Sequence, residues 1–114
     1  SAAKQAKRSR VPVVRPVMDF ASAALYAMEC DCRLVPYENE CGMQAAAKAL
    51  GSIRRGESIS VMIGPEGGFA PEEIEALRDK MQVISLGRRI LRTDTAAAVM
   101  LAALMLRIEM MEDQ

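Results

Sequence analysis

Between Ser58 and Glu73 the chain has few ways to fold. Ser58-Ile59-Ser60-Val61-Met62-Ile63 is β-branched, almost wholly apolar towards its end, and stopped by Gly64-Pro65. Such a run suits a parallel strand covered on both faces. Gly67 and Gly68 follow, and Pro71-Glu72-Glu73 then opens a helix. Proline is tolerated in a first helical turn, and carboxylates complement the positive end of the helix dipole. Strand, glycine turn and helix make one βα unit, and such units assemble into a mostly parallel sheet flanked by helices.

The rest of the chain continues the alternation. Gln82 to Leu86 reads as another strand, stopped by Gly87, and Thr93 or Asp94 caps a last helix running to about Met111. Arg33 to Tyr37 is a short strand with Pro36 near its end or at a bulge, and Glu40 to roughly Arg55 is a helix closed by Gly51 or Gly56. Val11 to Pro16 is extended, because proline disfavours helix in the residue before it. Asp19 can cap a helix that carries Phe20, Ala23, Ala24, Ala27 and Met28 at helical spacing and ends near Cys30. Ser1 to Arg10 reads as the tail of a basic helix. The 114 residues make one domain. Three or four strands form a thin sheet for this class, and the chain opens without Met. Residues 1–114 are therefore expected to be a truncated domain whose first elements lie upstream.

Composition removes several function classes. The 15 basic and 15 acidic residues cancel, which excludes a strongly basic nucleic-acid-coating protein but leaves room for a local basic patch. The absence of His removes the commonest general base, the usual nucleophilic triads, and most zinc and haem sites, so no metal is expected. Cys30, Cys32 and Cys41 are an odd set without C-x-x-C spacing, read as reduced and mostly structural, which points to a cytoplasmic address. No secretory signal opens the chain. Its longest apolar run, Ala96 to Leu106, is 11 residues, short of the ~20 that cross a bilayer.

Two loops carry the chemistry. Gly64-Pro65-Glu66-Gly67-Gly68 lies between strand and helix at the carboxyl end of the sheet, where ligands of open α/β folds bind. Glycines so concentrated serve positive φ or close approach of a ligand to the backbone, and a tight turn without a ligand is the other reading. The spacing fits neither the P-loop nor the G-x-G-x-x-G fingerprint. Leu86-Gly87-Arg88-Arg89-Ile90-Leu91-Arg92-Thr93-Asp94-Thr95 also follows a strand and precedes a helix, so both loops face one edge and can converge on one pocket. Arg88, Arg89 and Arg92 crowd a helix N-terminus whose dipole repels cations. They serve either as solvated charges, one of them paired to Asp94, or in recognition of phosphate or a polar base.

The stretches IGPEGGF, PEEIEAL and SLGRRILRTDTAA, in that order and separation, resemble the signature of SPOUT-class RNA methyltransferases of the RsmE family. The opening AAKQAKRSRVPVV is similar too, so the resemblance spans essentially the whole chain. It implies S-adenosylmethionine as cofactor, small-subunit ribosomal RNA as partner, and methylation of a uridine N3. It further implies a carboxyl-terminal trefoil knot, an exception to the rule that folds avoid knots, and an amino-terminal barrel-like RNA-binding domain that is absent here. Carried over residue by residue, the cofactor would be held by a first loop beginning at Tyr37-Glu38, a second comprising Gly64, Pro65, Glu66, Gly67 and Gly68, and a third running from Leu86 through Gly87, Ile90 and Leu91 to Thr95. Arg92 would be the catalytic residue nearest the target uridine or its phosphate. The family usually has Glu where this chain has Asp94, one methylene shorter.

Methyl transfer from a sulfonium needs alignment and loss of the imide proton, with no His or covalent nucleophile. Glu38, Glu66 or Asp94 could take that proton, and Arg92 could favour the developing anion. The closing helix, Ala96 to Leu106, is apolar on every side and is expected to pack partly on a second subunit, as a homodimer, or under upstream elements. The rival readings are a non-catalytic RNA- or small-ligand-binding α/β module and a flavodoxin-like phosphate-binding domain.

Overall fold

The computed structural model describes residues 11–14, 20–40, 42–90 and 92–112. Along the chain run β1 (Val13–Val14), α1 (Phe20–Ala27), β2 (Cys32–Pro36), α2 (Gln44–Gly51), β3 (Ile59–Met62), α3 (Pro71–Arg78), β4 (Gln82–Ile84) and α4 (Thr93–Glu112). All strands are parallel, in the order β1-β3-β2-β4. This is the helix-flanked parallel sheet that the βα alternation predicts.

Side-chain alternation along the strands divides the core into two layers. Leu34, Ile59, Val61 and Ile84 pack with Ala46 and Ala49 of α2 and with Ala97, Met100 and Leu104 of α4. Val35, Met62 and Val83 face the other way, against Ala27 of α1 and Ile74 and Leu77 of α3. The crossovers through α1 and α3 step across the sheet in one direction, and the crossover through α2 steps back. Helices of opposite step lie on opposite faces, as a single hand of crossover demands. The polar residue of β3 is accommodated: the Ser60 hydroxyl is fully buried and donates to the Ala27 carbonyl at 2.8 Å. Where β2 and β3 begin, the Asp31 N–H donates to Ser58 Oγ at 3.0 Å and the Ser58 N–H donates back to the Asp31 carboxylate at 3.1 Å.

Several boundaries differ from the sequence reading, each for a local reason. The helix expected over Glu40 to Arg55 is only α2. Gly42 before it takes φ +83°, and beyond it the Ser52 N–H and hydroxyl turn back onto Ala49 O. The chain then bends at Gly56, φ +86°, with the Arg54 N–H donating to the Glu57 carboxylate. β4 stops at Ile84 because Ser85 and Leu86 belong to the following loop. α1 ends at Ala27, and residues 28–30 form a turn. Cys30 and Cys32 are buried free thiols, and burial pushes the Cys32 thiol up. The expectations placed on Ser1 to Arg10, on Arg15 to Asp19, on Cys41 and on Leu91 lie outside the described residues.

The apolar α4 is only partly covered. Ala97, Met100, Leu104, Ile108 and Met111 recur at helical spacing and are buried, whereas Met105, Leu106 and Met110 are each more than half exposed. Among the described residues, no helix is long and apolar enough to cross a membrane.

Candidate active site

Strand pairing decides where the loops lie. β2 sits between β3 and β4, and Leu34 pairs with Val61 on one side and Gln82 on the other. Because all these strands are parallel, the chain leaves each of them at the same edge of the sheet, the usual ligand edge of an open α/β fold. The loops after β2, β3 and β4 bound a cleft of about 680 Å³.

The first loop contributes Pro36, Tyr37 and Glu38. The Tyr37 N–H donates to the Ile84 carbonyl at 3.0 Å and so ties this loop to the end of β4. The second loop contributes Ile63, Gly64, Pro65, Glu66, Gly67, Gly68 and Phe69. Gly67 and Gly68 take φ +85° and +81°, the left-handed region open chiefly to glycine, and the Gly68 N–H closes the turn on Pro65 O at 2.8 Å. Gly64 serves differently. A Cβ there would stand 3.1 Å from the Phe69 ring and 3.2 Å from its nitrogen, so the bare backbone lets the loop fold back over the strand end. Phe69 is buried edge-on against Phe20, ring centroids 6.0 Å apart. After it, the Ala70 N–H donates to the Glu73 carboxylate at 2.8 Å and α3 begins.

The third loop contributes Leu86, Gly87, Ile90 and Arg92, and α4 adds Thr93, Asp94 and Ala96. Gly87 has φ +95°, and its N–H donates to Ser85 Oγ at 3.1 Å. Arg92 grips Asp94 through Nη2 to Oδ2 at 3.1 Å and Nε to Oδ1 at 3.2 Å, with both side chains largely solvated, 80% and 64% exposed. The solvated ion pair, one of the two readings of the arginines, is therefore the conformation Arg92 holds. The Thr95 N–H donates to Asp94 Oδ1 at 2.9 Å. That bond, and then the Arg92 charge, hold the Asp94 carboxyl below the ordinary carboxylate range. A depressed folded-state pKa contributes stability above the unfolded value of 3.8, and the contribution fades as pH falls through the folded value. The Asp94 carboxyl resonance should therefore titrate below pH 3.8, and the Arg92 Nε–H signal should follow the same curve. Independent midpoints would show that the pair does not form in solution.

Nearly all the residues singled out from sequence stand together: Tyr37, the run from Gly64 to Gly68, Leu86, Gly87, Ile90 and Arg92 all line the cleft. Thr95 does not. It is exposed on the first turn of α4, its backbone N–H taken by Asp94, so the cleft wall passes through Thr93 and Ala96 instead. Thr93 falls within the third loop as read from sequence, whereas Pro36, Ile63, Phe69 and Ala96 line the cleft from outside the three predicted loops. Ile63 and Phe69 directly flank the glycine loop, and Ala96 lies one helical turn from Thr93 on the same face, so both signals were available.

Charge is distributed unevenly around the opening. Arg92 and Asp94 neutralise one another, whereas Glu38 and Glu66 have no hydrogen bond or ion pair among the described residues. Arg88 and Arg89 are exposed and lie outside the cleft wall. Ile63, Phe69, Leu86, Ile90 and Ala96 supply apolar surface. The arrangement suits a flat, mostly apolar group that carries positive charge, with anion-binding side chains just beyond the mouth. Among the described residues, no group of Cys, Asp and Glu is placed to hold a metal ion.

Residues 1–105 match the RNA methyltransferase domain family. The chain is 33% identical over 114 residues to ribosomal RNA small subunit methyltransferase E of Bacillus subtilis, covering 96% of this chain and 44% of that protein. It is 37% identical over 118 residues to the protein of the same name from Mycobacterium bovis, covering 90% of this chain and 40% of the relative. The chain thus spans less than half the length of these relatives. A solved structure described as that of a hypothetical protein superposes with a TM-score of 0.69 at 32% identity, over 82% of this chain and 51% of its own. A parallel sheet with its loops gathered at one edge, and a family match that runs from the first residue past both glycine loops, lead to one conclusion: the chain belongs to the RNA methyltransferase domain family.

Proposed function

We propose that the cleft binds S-adenosylmethionine and that the protein methylates N3 of a uridine in small-subunit ribosomal RNA. The observation that carries this reading is the convergence of the loops after β2, β3 and β4 on one cleft in a chain of this family. The names of its relatives supply the class of RNA. The lining fits the donor. Apolar side chains accommodate a purine, the bare backbone of Gly67 leaves open space, and Glu38 and Glu66, which have no ion pair among the described residues, add negative charge to the lining. When bound, S-adenosylmethionine supplies an electrophilic methyl group.

The chain's own residues then have three tasks. Tyr37, Gly64, Pro65, Glu66, Gly67, Gly68, Leu86, Gly87 and Ile90 form the donor's walls. Arg92, at the mouth, exchanges its bond to Asp94 for one to the uracil or its phosphate and stabilises charge that grows as the imide proton leaves. Arg88 and Arg89 meet RNA phosphates outside. The same reading places an RNA-binding barrel before this domain, treats the path through the later loops as knotted, and pairs the exposed Met105, Leu106 and Met110 with those of a second copy. Isotope-labelled methyl donor incubated with unmodified ribosomal RNA tests the proposal. Label should enter the small-subunit RNA at a uridine, and Arg92→Ala should cut the rate by about 100-fold, the scale of a lost transition-state donor. An unchanged rate in Arg92→Ala removes that residue from the mechanism, and absence of label with the wild-type protein removes the activity.

A further inference from the structure

We infer that Glu38 and Glu66 make the cleft select for the charge of its ligand, favouring a donor that carries a positive sulfonium over the neutral thioether left after methyl transfer. This rests on the reading of the cleft as a methyl-donor site and adds a determinant of product release to it. Among the described residues lining the cleft, the charged ones are Glu38, Glu66, Arg92 and Asp94. The last two are tied to each other within 3.1 Å, which leaves two unopposed negative charges. The two carboxylates come from different loops and both line the cleft. A Cβ on Gly68 would lie 3.8 Å from Glu38 Oε1, so the carboxylate of the first loop overhangs the bare turn of the second, which also carries Glu66. The basic residues of the third loop, Arg88 and Arg89, stay outside the wall and do not offset them.

Glu38 and Glu66 both line this cleft of about 680 Å³, and charges within a screening length of about 8 Å at physiological salt act on a ligand bound there. A positive charge bound near the two carboxylates is therefore attracted, the apolar side chains of the wall adding little screening of their own. S-adenosylmethionine and S-adenosylhomocysteine share their adenosine, ammonium and carboxylate groups. They differ by one methyl group and one positive charge on sulfur. Transfer of that methyl removes the charge, and the proton displaced from the uracil leaves separately. The product thus loses the attraction that helped hold the donor, while the cleft's fit to the adenosyl group is unchanged.

The test is calorimetric titration of both ligands into the wild-type protein and into the Glu38→Gln, Glu66→Gln double variant, at low and at high salt. Both glutamates are exposed and have no hydrogen bond or ion pair among the described residues, so the variant keeps the fold. The double variant should bind the donor about five- to tenfold more weakly and the product within about twofold of wild type, the range expected for two solvent-accessible charge contacts. The wild-type preference for the donor should shrink at high salt. Unchanged product affinity also shows that the cleft is intact. Donor and product affinities that fall together, or a ratio untouched by the variant and by salt, overturn the inference and leave the donor site standing. If neither ligand binds the wild-type protein, the donor-site reading fails and the inference with it.

Discussion

Leu104→Ala should lower the free energy of unfolding by about 2–5 kcal/mol, the range for deleting a fully buried leucine side chain whose cavity does not collapse. Leu104 is completely buried, and it joins α4 to Leu34, Ile59, Val61 and Ile84 on one face of the sheet. A domain of this size commonly has about 5–15 kcal/mol in total, so the loss should be plain in urea denaturation. Leu25→Ala makes the comparison: that side chain is 67% exposed on α1, and its removal should change stability by about 0.5 kcal/mol or less. Similar losses at the two positions would mean that α4 is not packed as described. The consequence reaches the cleft, because the first turn of α4 carries Thr93, Asp94 and Ala96 into its wall. A helix that slips on the sheet moves that wall.

Gly68→Val should reduce affinity for S-adenosylmethionine at least about tenfold while leaving the fold in place. Gly68 has φ +81°, where a β-branched residue is strained by about 1–3 kcal/mol, and ~1.4 kcal/mol already amounts to a factor of ten in binding. The loop can relieve the strain only by changing shape, and the new side chain would also project towards the Glu38 carboxylate. Gly42→Val is the control. Gly42 has nearly the same φ, +83°, but open space around it and no place in the cleft lining. It should lose comparable stability and no donor affinity. Equal effects of the two substitutions on binding would show that loop strain, rather than cleft geometry, governs the measurement.

The legible parts of this molecule were those where one residue type enforces one backbone outcome. Ser58 to Ile63 could be placed as a covered parallel strand because β-branched residues run directly into Gly64-Pro65, and Pro71-Glu72-Glu73 could only begin a helix. The meeting of the second and third loops followed from two strand-to-helix junctions in a parallel sheet, with no need for side-chain detail. The extent of α2 was only partly legible: Gly51, one of the two stops offered, does end it, but its start at Gln44 lies later than Glu40. Ala, Lys and Leu favour helix over residues 45–50, but whether the chain continues past Gly51 is settled by burial of Ile53 and the turn at Gly56, packing that local propensity does not carry. For the same reason the apolar stretch Ala96 to Leu106 of α4 gave no sign of which stripe would meet the sheet, since every face of it offered the same chemistry. The pairing of Arg92 with Asp94, two residues away, was one of two open readings, and spacing alone could not choose between them.

We propose that the loops after β2, β3 and β4 form a single methyl-donor site. Backbone amide shifts recorded during titration with S-adenosylmethionine test it most directly. Tyr37, Gly68 and Gly87, one from each loop, should shift with a common midpoint, while Lys48 and Gln82, in the separate groove between α2 and the edge strand β4, should stay still. Different midpoints for the three loops, or a response centred on Lys48, Ser52 and Gln82, would contradict the account.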